Sequence, residues 1–75
     1  MKIRSAKLVD RWNYHSGSWM TVQTPRGQIL EIRVRDQHMA EASRVWEGST
    51  VRYAYRGGRP FYLSQDEVAA KEWED

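Results

Sequence analysis

The clearest pattern lies at residues 29–35, where Leu30, Ile32 and Val34 alternate with Glu31, Arg33 and Arg35. A period of two sends successive side chains to opposite faces, so the segment predicts a half-buried strand. Residues 50–56 alternate too, with Val51, Tyr53 and Tyr55 on one face and Arg52, Ala54 and Arg56 on the other. Residues 19–24 set Met20 and Val22 against Trp19 and Thr21. Residues 2–12 read as a long first strand. There Ala6, Leu8 and Trp12 share one parity and Ile3 and Val9 the other. A switch of inward parity within one strand predicts a bulge or a sharp coil. Residues 60–63 make a short last strand, which Pro60 can only begin or hold at an edge.

Between the third and fourth strands the period changes. Met39, Ala42, Val45 and Trp46 recur at helical spacing and predict a helix over 37–47, with Asp36 as N-cap and Gly48 just past its end. Residues 13–18 form a polar loop, residues 24–28 a tight Pro-Gly turn, and Gly57-Gly58 a hairpin. Ser64 and Glu67 have capping-box spacing for a final short helix, with Val68, Ala69 and Trp73 on one side. Trp46, Tyr53 and Phe61 are assigned to the core. Trp12 is divided between barrel rim and loop, and Trp19 between the outer face and a place under the last helix against Trp73.

Three strands, a helix, two strands and a terminal helix resemble the OB-fold, a small Greek-key barrel. The run Val45-Trp46-Glu47-Gly48-Ser49-Thr50-Val51-Arg52-Tyr53 resembles the junction between helix and fourth strand in such domains. The resemblance covers residues 2–64 and is one of fold. It implies a mainly β chain: a five-stranded OB-like barrel over 1–64, a helix between strands 3 and 4, and an acidic C-terminal helix and tail over 65–75. An SH3-like barrel is the rival. It carries its helical turn between the last two strands, where this sequence has only Arg56-Gly57-Gly58-Arg59.

Seventy-five residues hold a single core. The absence of cysteine excludes disulfides, thiolate metal sites and cysteine nucleophiles. No apolar run is long enough to span a membrane, and the first residues lack the apolar region of a signal peptide, so the expectation is a cytoplasmic protein with no membrane partner. Residues 65–75 carry five acids against Lys71, a net of −4, whereas residues 1–64 carry eleven basic and five acidic groups, a net of +6. A basic body suits a polyanion. Nine of the twelve basic residues are Arg, the side chain that forks onto phosphate and stacks on bases.

Catalytic chemistry has little to stand on. His15 belongs to a loop and His38 to the first turn of the helix. Ser16 and Ser18 are too near His15 in one loop to form a hydrolase triad. Neither HxH nor HxxxH occurs, and Gly57-Gly58 has no following Lys and no helix to open. Neither an enzymatic activity nor a cofactor is expected. Aromatic and Arg side chains interleaved on strands are the stronger signal. The OB-like resemblance implies a ligand on the second and third strands, between the loop after strand 1 and the loop joining strands 4 and 5. Parity then selects Trp19, Thr21, Arg33 and Arg35 as ligand-binding residues; the loop after strand 1 adds Trp12 and Tyr14, with His15 beside them, and the loop joining strands 4 and 5 adds Arg56 and Arg59. Glu31 on the same face opposes a phosphate path. The reading is a non-enzymatic domain for single-stranded DNA or RNA with little sequence preference. The alternative is a protein-interaction module, an adaptor or inhibitor that uses exposed aromatics and the acidic tail.

Overall fold

The computed structural model describes residues 2–14 and 17–70, and of Asn13 and Tyr14 the backbone alone. Five strands, β1 (Arg4–Tyr14), β2 (Gly17–Gln23), β3 (Ile29–Val34), β4 (Thr50–Arg56) and β5 (Arg59–Leu63), close into a barrel in the order β1-β2-β3-β5-β4. Neighbours are antiparallel except β3 and β5, which run parallel with Arg33 opposite Phe61. A 3-10 turn (Asp36–His38) and helix α1 (Met39–Ala42) stand between β3 and β4, and helix α2 (Gln65–Ala70) follows β5. The chain is therefore mainly β, and the closed five-stranded barrel is consistent with an OB-like fold.

The alternation read from the sequence fills the barrel. Leu8, Met20, Val22 and Ile32 are fully buried, and Ala6, Val34, Val51, Tyr53 and Tyr62 join them, with Ala42 of α1 closing one pole. Each buried large aliphatic side chain contributes about 1.5–3 kcal/mol, more than the ~1 kcal/mol of any single helix cap, so strand patterning dominates the fold.

The parity switch in β1 is a bulge. Leu8 pairs with Val22 and Asp10 with Thr21, which leaves Val9 as the extra residue, 42% exposed. Before the bulge Ala6 and Leu8 point inward. Beyond it Asp10 and Trp12 lie outward beside Thr21 and Trp19, and Arg11 takes the position opposite Met20. The Arg11 guanidinium donates to the carbonyl oxygens of Ala42, at 3.1 Å, and Val45.

The helix expected over 37–47 is much shorter. Its α-helical part stops at Ala42, and Asp36 lies inside the 3-10 turn and is not its cap; Arg35 precedes that turn with no side-chain capping bond. Arg11 occupies carbonyls at the helix end, and the chain turns away. Trp46, assigned to the core, is 81% exposed, and Met39 is exposed as well. Gly48, at φ +86°, serves the approach to β4, where its N–H bonds to the Leu8 carbonyl at 2.8 Å. Phe61, also assigned to the core, is half-buried on the outer side of the sheet, whereas Tyr53 is buried as expected.

Helix α2 begins with the expected capping box. The Glu67 N–H donates to Ser64 Oγ at 3.2 Å, and the Ser64 N–H donates to Glu67 Oε1 at 3.0 Å. Val68 and Ile3 both pack on the buried pair Ala54 and Leu63. Two carboxylates tie α2 to the plugged pole. Glu67 receives Arg35 Nη2 at 2.6 and 2.8 Å and sits 3.1 Å from His38 Nε2. Glu41 accepts the Tyr62 hydroxyl at 2.5 Å and the Gln65 N–H at 3.2 Å. Burial and the bond to Glu41 both push the Tyr62 phenol well above its usual range. The acidic tail over 71–75, and with it the contact considered between Trp19 and Trp73, falls outside the described residues.

Candidate functional site

Strand register brings four outward residues into one row. Trp12 stands opposite Trp19, Trp19 opposite Arg33, and Arg33 opposite Phe61. The two indoles stack with centroids 5.8 Å apart and planes inclined by 20°. Trp12 Nε1 donates to Thr21 Oγ1 at 3.3 Å, which fixes the indole edge. The Arg33 guanidinium carbon lies 5.6 Å from the Trp19 ring centre, and that of Arg35 lies 6.0 Å from the Phe61 ring. Stacking contributes about 0.5–1.5 kcal/mol and each exposed cation–π contact about 0.5–1 kcal/mol, enough to hold the side chains in one arrangement.

Local sequence makes this row possible. The bulge at Val9 puts Trp12 outward; an uninterrupted alternation from Leu8 would have sent it inward. Gly17, at φ +137°, leaves room for Arg33: a Cβ there would meet Arg33 Nη2 at 3.2 Å. Both indoles are half-buried, and a cleft of about 220 Å³ bounded by Arg11, Trp19, Met39 and Ser43 opens beside Trp19.

The adjoining outward row has a different character. Asp10, Thr21 and Glu31 are cross-strand neighbours, so two carboxylates border the aromatic pair. Two residues before Phe61, Arg59 faces Arg56 across the β4–β5 hairpin, where Gly57 and Gly58 both have positive φ as the turn demands. Cations therefore gather on β3, β5 and β4, and the indoles on β1 and β2.

Of the residues selected from sequence, Trp12, Trp19, Thr21 and Arg33 meet at one place. Arg56 and Arg59 sit together on the neighbouring hairpin. Arg35 is held by Glu67 and also donates to the Tyr62 carbonyl at 3.3 Å. The Tyr14 backbone pairs with Gly17, its side chain lies outside the described part, and so do His15 and Ser16. Phe61 was missed. Its outward parity with Arg59 and Leu63 was readable, but its place beside Arg33 depends on the parallel β3–β5 register, which leaves no local trace.

Among the described residues no group of three His, Asp or Glu side chains could hold a metal ion. No described helix is long and apolar enough to cross a membrane. The chain matches no protein-family model, no curated protein and no solved structure.

Proposed function

We infer that this chain is a non-enzymatic binding domain for single-stranded nucleic acid, with little sequence preference. The observation that carries the reading is the row Trp12–Trp19–Arg33–Phe61 on the outer face of the barrel. Bases stack on indole and phenyl faces regardless of identity, because every base has a π-face, and Arg forks onto phosphate oxygens. Asp10 and Glu31 repel phosphate, so the backbone of a bound strand follows Arg33, Arg59 and Arg56 while its bases lie toward the indoles. This division of labour favours single strands, since a duplex hides its base faces.

Anisotropy titration of a labelled oligonucleotide at two or more salt concentrations tests it. Contacts to three or four phosphates give a log–log salt slope of about −2 to −3, at ~0.7 per phosphate. Trp19→Ala costs about 1–3 kcal/mol of binding and leaves the slope unchanged. Absence of binding at low salt removes the reading.

A second reading has its own observation. Trp46 is 81% exposed, and Met39 of α1 is exposed as well. Bare indole and thioether suit a protein-interaction module, and failure of every oligonucleotide would bring that reading forward.

A further inference from the structure

At the start of β1 a different cluster forms, away from the indoles. Lys2, Arg4, Arg26, Tyr53 and Tyr55 are among the residues bordering a groove of about 500 Å³, within the size range of small-ligand pockets. Three cations border it and no carboxylate does. None of Lys2, Arg4 and Arg26 enters an ion pair among the described residues.

One cation is held by its side chain and a second is carried on a closed turn. The Arg4 guanidinium carbon lies 5.8 Å from the centre of the Tyr55 ring, which orients the planar fork. Arg26 sits in the β2–β3 turn, closed by Gly27 N–H to the Thr24 carbonyl at 2.8 Å and by Thr24 N–H to the Gln28 carbonyl at 2.8 Å. Tyr53 is 4% exposed, borders the same groove and makes no hydrogen bond among the described residues. The ring is buried, but the hydroxyl oxygen reaches solvent at the groove, where it is open to a ligand. Its neighbours are the Arg4 charge and the Tyr55 phenol, and burial raises its pKa, so it stays protonated and able to donate.

We propose that this groove binds a phosphomonoester, with Arg4 and Arg26 forking onto the phosphate oxygens, Lys2 adding charge and the Tyr53 hydroxyl donating a hydrogen bond. Three cations match a dianion better than the single charge of a phosphodiester link. The same chemistry is offered by a free mononucleotide and by the 5′-phosphate of a strand end. The site is separate from the indole row and does not rest on the function proposed for it.

Amide chemical shifts of the full chain are followed by NMR during titration with adenosine 5′-monophosphate, with adenosine as control. The nucleotide moves the amides of residues 4, 5, 26, 53 and 55, and adenosine does not. Arg4→Gln and Arg26→Gln each weaken binding by about tenfold. Tyr53→Phe keeps the buried ring, and so the fold, and weakens binding as well. Paired oligonucleotides with and without a 5′-phosphate separate the sources: tighter binding of the phosphorylated strand assigns the groove to strand ends, and equal binding assigns it to the free nucleotide. Trp19→Ala leaves the mononucleotide shifts intact, so failure of the indole reading does not touch this one. Equal shifts with adenosine, or affinity unchanged in the Arg4→Gln and Arg26→Gln variants, overturn the proposal.

Discussion

Arg35 and Glu67 meet across 32 residues of sequence, one guanidinium nitrogen lying 2.6 and 2.8 Å from the two carboxylate oxygens. Their side chains are 24% and 13% exposed, so water screens them only in part. The same carboxylate closes the capping box with Ser64 and faces His38. Glu67 thereby joins the last helix, the end of β3 and the turn before α1.

Glu67→Gln should cost more stability than Ser64→Ala. The serine change removes one cap, at about 1 kcal/mol. The glutamine keeps a polar group for the cap but leaves the partly buried Arg35 charge without its counter-ion, which raises the cost to about 2–4 kcal/mol. Urea unfolding of the two variants measures the difference, and equal costs would reduce Glu67 to a cap.

Alkali should destabilise the protein. Burial raises the phenols of Tyr53 and Tyr62, and the bond to Glu41 raises Tyr62 further. Both folded pKa values lie above the unfolded value of about 10. Their contribution is complete below that value and is lost as pH rises through the folded ones, because the unfolded chain sheds protons first. Urea midpoints should be flat from neutrality to about pH 9 and fall beyond pH 10. Tyr62→Phe should lessen that fall.

Gly17→Ala tests how the Arg33 side chain is held. The new methyl meets Arg33 Nη2 at 3.2 Å, and φ of +137° strains any side chain-bearing residue. A stability loss of about 1–3 kcal/mol is expected. Displacement of Arg33 from Trp19 should also weaken oligonucleotide binding, and the effect should vanish in an Arg33→Ala background. A full second loss in that background would show that Gly17 acts elsewhere.

Trp46→Ser should leave stability within about 0.5 kcal/mol of the parent, since the side chain is mostly in water. Ile32→Ala, at a fully buried site, should cost about 2–5 kcal/mol. Thermal melts of the two variants check the contrast.

These expectations differ in how far they could be seen in the sequence. The five strands, the hairpin glycines, the bulge and the capping box are written locally, because periods of two, positive-φ residues and i, i+3 pairs act over short range. The helix expected over 37–47 is present between β3 and β4 but stops short, for a distant reason. Its spacing was helical, but Arg11, from a strand more than thirty residues earlier, takes the carbonyls of Ala42 and Val45. Arg33 and Trp19 were readable by parity as outward residues. Their contact was not, and neither was the capture of Arg35 by Glu67, since both depend on the register and closure of the barrel.

Closure has a weak point. The other four junctions are antiparallel ladders several residues long, whereas β3 and β5 meet in parallel at one paired position, Arg33 with Phe61. That seam is where the ring should unzip first, so its amides should exchange with solvent ahead of those between β1 and β2. The same two residues lie in the outward aromatic row. Anything that spans them from outside would act as a suture, and occupancy of the face would be felt as stiffness throughout the barrel.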